Sequence, residues 1–186
     1  MSLTAEPARS ATLTAARLGR LQGALVSYDP NYRARLWPDE AAALTWMKRP
    51  LPMVDLLKIS DEELPLLTGT DDPEMGSALL MREGIRLIVI TLGSRGVFYR
   101  MGSSIGYVAG YSVRVADTNG AGDTFHGALL SRLAMREGNP LAGLPATELE
   151  QMLRFANRAA ALTCTRSGAI PAMPTLAEVE AFKIEN

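Results

Sequence analysis

Asp117-Thr118-Asn119-Gly120-Ala121-Gly122-Asp123-Thr124-Phe125 is the stretch on which the reading of this chain turns. Its small central residues allow a tight backbone turn. Directly after it, Phe125, Ala128, Leu129 and Leu133 recur at helical spacing. A small-residue turn that opens a helix points several N–H groups at one spot, and the helix dipole adds positive potential there. Gly120, Ala121 and Gly122 are therefore expected to form an anion hole, with Asp123 beside it. A carboxylate in that place can accept a proton from a nucleophile that attacks a bound phosphoryl group.

Outward from this turn, helical and strand patterns alternate. Ser10 is expected to cap a helix over residues 11–22, and residues 24–28 read as a short buried strand ending at Asp29-Pro30. Pro38-Asp39-Glu40 opens a helix to Met47; residues 53–58 read as a strand, 61–67 as a short helix closed by Gly69, and 73–82 as a helix closed by Gly84. Residues 85–91 are an almost wholly apolar run of β-formers, as expected of a strand covered on both faces. Residues 97–100 and 105–108 read as a hairpin around Gly102-Ser103. Helices are expected over 120–137, 147–166 and 176–182. The alternation predicts one α/β domain over residues 1–186, a doubly wound, mostly parallel sheet flanked by helices. Ligands bind such sheets at the carboxyl ends of the strands, so Asp29, Ser60, Thr91 and Asp117 are expected to converge on one edge.

The Asp117–Asp123 stretch resembles the Asp-Thr-x-Gly-Ala-Gly-Asp signature of the ribokinase-like (PfkB) sugar kinases, and Phe125 and Gly127-Ala128 continue the likeness. The resemblance implies ATP-dependent phosphorylation of a sugar hydroxyl, with Asp123 as general base, and other segments agree with it in order. Thr91-Leu92-Gly93-Ser94-Arg95-Gly96 resembles the family turn that lies along the nucleotide phosphates, which implies that role for Thr91, Gly93, Ser94 and Gly96. By residue chemistry alone it is a plain strand–turn–strand. Ser60-Asp61-Glu62-Glu63 resembles the family's Asn-x-x-Glu, with Ser60 in place of asparagine. That likeness puts Ser60 at the cofactor and Glu63 on hydrated Mg²⁺ through water. The same four residues are also a good helix N-cap.

Asp29-Pro30-Asn31-Tyr32-Arg33, followed by Leu36-Trp37, resembles fructokinases and 2-keto-3-deoxygluconate kinases and implies that Asn31 and Arg33 lie near the γ-phosphate and the sugar. A guanidinium at a strand end suits phosphate; the plain alternative is a turn with a surface arginine and a core Trp37. Asn157 matches the position that edges the adenine pocket in that family. Asp117, Asn119, Thr163, Arg166 and Gly168 match its loop for a monovalent cation such as K⁺, held largely by main-chain carbonyls, although Ala172 stands where some relatives supply serine.

Composition narrows the alternatives. Hydrophobic residues make up 47% of the 186, and the formal net charge of −1 provides no footprint for nucleic acid or an acidic membrane. Cys164 is the single cysteine, so no internal disulfide forms, and its apolar helix face suggests a core thiol in a reducing cytoplasm. His126, the single histidine, leaves no histidine-based metal site and reads as a packing or pocket-edge residue. No signal peptide or membrane-length apolar run is visible. A Rossmann dinucleotide domain is disfavoured because the glycine turn is late and lacks an acid about twenty residues on.

The resemblance covers the C-terminal portion of the family's length. The Gly-Gly-x-x-x-Asn sugar motif and the lid, through which the parent could form a homodimer, are missing. Little sugar phosphorylation is therefore expected of these residues alone. Fructokinase is the first expectation; 2-keto-3-deoxygluconate kinase, ribokinase and a non-catalytic nucleotide-binding remnant are the alternatives.

Overall fold

The structure is a computed structural model that describes residues 2–182. Its five strands form one sheet in the order β1-β2-β3-β4-β5: β1 Ser27–Tyr28, β2 Leu56–Ser60, β3 Leu87–Thr91, β4 Gly96–Met101 and β5 Ser104–Ala109. β1 pairs parallel to β2, with Ser27 opposite Leu56 and Tyr28 opposite Leu57. β4 and β5 are joined by Gly102-Ser103 as a hairpin, which makes the sheet mixed rather than wholly parallel. The chain gathers into two compact units, one of residues up to Ile90 with Tyr99–Ile105, the other of Thr91–Phe98 with residues from Gly106 onward.

In the first unit, β2 and β3 are buried for four of their five residues each, matching their continuous apolar sequence. Helices α1 (Ala8–Leu21), α2 (Glu40–Lys48), α3 (Glu63–Thr68) and α4 (Pro73–Met81) belong to this unit. Several boundaries move from the sequence expectation for identifiable reasons. Helix α1 begins before Ser10, because the Ser10 amide donates to Glu6 Oε2 at 3.2 Å instead of Ser10 capping the helix. β1 loses its first residues because the Val26 amide donates to the Asp55 side chain at 2.9 Å. Pro50 and Pro52 set a 3₁₀ turn over Leu51–Met53, so β2 starts three residues later than expected and runs on to Ser60. Asp39 and Asp72 cap α2 and α4 as their sequence positions suggest.

The second unit is built on α5 (Ala121–Leu133), α6 (Ala146–Cys164) and α7 (Leu176–Ala181). Helix α5 packs along α6, burying Phe125, Leu129 and Leu133 on one side and Leu149, Met152, Leu153 and Ala156 on the other. Each of these phenylalanine, leucine and methionine side chains contributes about 1.5–3 kcal/mol on burial. Val179 of α7 seats on Ala159 and Leu162. Helix α5 ends before Glu137 because the chain turns toward Gly138 (φ 70°) and Arg136 is held by Glu148 at 2.6 Å. Helix α6 stops at Cys164, where Thr165 Oγ1 donates to the Leu162 carbonyl at 2.7 Å and competes with the helix ladder.

Candidate active site

A cleft of about 460 Å³ opens in the second unit. One wall is the β3–β4 turn, through Thr91, Gly93, Ser94 and Gly96; the opposite wall is α6, through Asn157, Ala160, Ala161 and Cys164. The first turn of α5 closes one end with Ala121, Gly122 and Phe125. Residues of three separate sequence motifs thus meet in one cavity. Gly96 has φ 102°, and a Cβ there would run into the Val108 carbonyl and the Gly110 amide. This turn is accessible only to glycine. Asn157 is 7% exposed and its Nδ2 donates to the carbonyls of Val108 and Ala109 at 3.2 and 3.0 Å, tying α6 to the end of β5.

The loop before α5 is pinned by Asp117. Its carboxylate accepts the Asn119 amide and the Gly168 amide, each at 3.0 Å, and these bonds hold it below the usual carboxylate range. Gly120 has φ 78°, and a Cβ on it would press on Ala169 at 3.1 Å, so glycine allows the two loops to touch. The Ala121 amide donates to Thr118 O at 3.3 Å and the Thr124 amide to Gly120 O at 2.8 Å. The intervening amides of Gly122 and Asp123 have no partner among the described residues, as expected at a helix N-terminus. Asp123 is exposed on this first turn and is not among the residues lining the cleft.

Of the residues expected in the monovalent-cation loop, whose ligands are expected to be largely main-chain carbonyls, Thr163 and Arg166 have side chains engaged within the protein. Thr163 is fully buried, bonding Thr124 Oγ1 and the Ala159 carbonyl. Arg166 pairs with Glu178. That pairing, with the Thr175 capping box, pushes Glu178 down to about 2. A depressed carboxylate stabilises the fold above its unfolded pKa and loses that contribution as pH falls through the folded value. Thermal stability should therefore fall between about pH 4.5 and 2, and Glu178→Gln should flatten that part of a melting-temperature profile. An unchanged profile would refute the contribution.

The first unit holds a second cluster. The Lys58 ammonium meets Asp29 at 2.9 Å, with side chains 8% and 12% exposed. Asn31 has φ 49°, and its amide donates to Asp29 Oδ1 at 3.1 Å. Glu63, only 6% exposed, accepts the Tyr32 amide at 2.6 Å and the Ser60 amide at 2.8 Å, while the Ser60 hydroxyl accepts the Glu63 amide at 3.2 Å. The expected N-cap is thus formed reciprocally. Arg33 is exposed and donates to the Tyr32 carbonyl at 2.8 Å. Trp37 is half-buried. The Tyr28 hydroxyl is buried without a hydrogen-bond partner, and burial, then the charges of Glu63 and Asp29, raise its pKa.

Sequence reasoning missed several residues. Gly110, Tyr111, Ser112 and Val113 line the cleft with no motif to mark them, although a glycine just past a hairpin strand is a usable signal. Lys58 lay in an apolar strand and its acidic partner is 29 residues away. Cys164 is a correction: it is half-buried and lines the cleft rather than the core, because α6 ends there. Burial, then the Asp117 charge, raises its thiol pKa and keeps it protonated at neutral pH. Among the described residues no three His, Cys, Asp or Glu side chains gather to hold a metal, and no helix is long and apolar enough to cross a membrane.

The family model described as pfkB family carbohydrate kinase matches residues 2–176. The chain belongs to the pfkB family. Among curated proteins it is 42% identical over 185 residues to fructokinase-1 of Oryza sativa subsp. japonica, covering 99% of this chain and 56% of that protein. Among solved structures, a fructokinase from Vibrio cholerae O395 in fructose-, ADP- and calcium-bound form superposes with TM-score 0.89 at 34% identity, covering 97% of this chain and 57% of that one. A fructokinase with bound ATP from Xylella fastidiosa superposes with TM-score 0.88 at 31% identity, covering 97% and 58%. The chain spans little more than half the length of the pfkB relatives it matches.

Proposed function

We propose that this chain is the nucleotide-binding portion of an ATP-dependent sugar kinase acting on fructose or a close analogue. The carrying observation is the cleft itself: a glycine turn, a helix N-terminus and the Asn157 face of α6 line one cavity of about 460 Å³, within the range that ligand sites occupy. Relatives that match nearly the whole chain include fructokinases solved with ADP or ATP.

In this reading the adenine lies toward Asn157 and Ala160, and the phosphates lie over Thr91, Gly93, Ser94 and Gly96. The unpartnered amides at the start of α5 take the terminal phosphoryl oxygens and favour the charge that accumulates on them. Asp123 accepts the proton of the attacking sugar hydroxyl as its oxygen bonds to the γ-phosphorus and the bond to the ADP oxygen breaks. Asn31 and Arg33 are assigned to the sugar.

The described residues do not fit a protein-built Mg²⁺ cage, since both Glu63 oxygens accept main-chain amides. Mg²⁺ commonly arrives bound to substrate phosphates and keeps several waters. For K⁺, the engaged side chains of Asp117, Thr163 and Arg166 leave only main-chain carbonyls of the two loops, with Asn119 and Gly168, as ligands.

Calorimetry with ADP and with MgATP tests the reading. The wild-type chain is expected to bind both. Ala160→Phe, which projects a ring from half-buried Ala160 into the cleft, should weaken ADP by at least about tenfold, since tenfold is 1.4 kcal/mol. A wild type that binds neither nucleotide, or a phenylalanine variant that binds as the wild type does, would refute it.

A further inference from the structure

From the first-unit cluster we infer that Glu63 is a positioning residue for Arg33, acting through the main chain of the loop between them. The loop after β1 runs Asp29-Pro30-Asn31-Tyr32-Arg33, and beyond Pro30 it buries no side chain fully: Arg33, Ala34, Arg35 and Leu36 are all exposed. Apolar packing therefore does not hold it. Yet it is held at every second residue or closer. Asp29 is locked by the Lys58 ammonium at 2.9 Å, the Asn31 amide closes onto Asp29 Oδ1 at 3.1 Å, and the Tyr32 amide donates to Glu63 Oε1 at 2.6 Å. Asn31 sits in the left-handed region at φ 49°, a conformation that persists where surrounding bonds over-determine it. Ordering an exposed tip costs conformational entropy with little burial in return. An arrangement of this kind makes physical sense when the tip presents a group that must not wander.

The group it presents is the Arg33 guanidinium, whose Nη1 rests on the Tyr32 carbonyl at 2.8 Å and whose residue is exposed. Glu63 grips the N–H of Tyr32 while Arg33 leans on the carbonyl of the same residue, so the two peptide units flanking the Tyr32 Cα link carboxylate to cation. The second Glu63 oxygen accepts the Ser60 amide at 2.8 Å, which anchors the carboxylate to the end of β2. Both oxygens are needed: each accepts one N–H, and these charge-assisted bonds are roughly twice as strong as neutral ones. Glutamine has a single acceptor oxygen and an NH₂ in place of the other, so it can satisfy Ser60 or Tyr32 but not both. Aspartate is a methylene shorter and cannot span them.

This inference rests on the reading of Arg33, a guanidinium at a strand end, as a group that meets phosphate beside the sugar, and the two are tested separately. Amide exchange and ¹⁵N spectra are recorded on the wild-type chain, Glu63→Gln and Glu63→Asp, with the β2 and β3 amides as the internal measure of folding. Expected is exchange at Tyr32 or Ser60 faster by at least about tenfold in both variants, with the strand amides unchanged. Inorganic phosphate is then titrated against the Arg33 Nε–H signal. Wild type should respond in the millimolar range and the two variants at least about threefold more weakly, a fraction of what a hydrogen bond to a charged group contributes. Unaltered Tyr32 and Ser60 exchange in Glu63→Gln overturns the latch. Altered exchange with unaltered phosphate affinity overturns the positioning role. A wild-type Arg33 signal that ignores phosphate overturns the anion assignment, and the latch then stands or falls on exchange alone.

Discussion

Replacing Asp123 by asparagine is expected to slow fructose-dependent phosphoryl transfer by about 10²–10⁴-fold, the range for removing a positioned general base. Asp123 is an exposed residue on the first turn of α5, outside the lining of the cleft. Asparagine keeps its shape and removes the basic oxygen. ADP affinity should therefore stay within about twofold, placing the loss in kcat and not in nucleotide binding. The readout is the ratio of wild-type to variant turnover under matched conditions. Asparagine at wild-type speed would remove Asp123 from the reaction.

Gly96→Ala is expected to cost roughly 3–5 kcal/mol, among the largest effects of a single methyl group. Two penalties coincide. The residue has φ 102°, which side chains rarely adopt, and the new Cβ meets main-chain atoms of Val108 and Gly110 that cannot swing aside. Relief requires β5 to move away from the turn, and that turn is one wall of the cleft. The expected readout is a melting temperature lower by about 10 °C or more together with weaker ADP binding. Gly93→Ala is the comparison: its φ is 60°, but a Cβ there meets nothing within 4 Å, so only the backbone penalty of about 1 kcal/mol applies. Equal losses at the two positions would show that the close strand approach is unimportant.

Much of this was legible without coordinates because it depends on near neighbours. The apolar run ending at Thr91, the small-residue turn before Phe125 and the helical spacing beyond it all reappear as β3, the start of α5 and its buried face. Element ends were less legible. The early start of α1 hinges on which side chain caps an amide, and the short β1 on a hydrogen bond from Val26 to an aspartate 29 residues on. Such choices are decided by geometry that periodicity does not encode.

Local patterns along the chain were enough for the family, the alternation of strands and helices, and the residue types at the glycine turns. Tertiary structure alone decided the partners. It joined Asp117 to a glycine 51 residues away, Asn157 to the carbonyls ending β5, and both oxygens of Glu63 to main-chain amides. A buried polar group must find a partner once water is excluded, but which partner it finds depends on how distant segments pack.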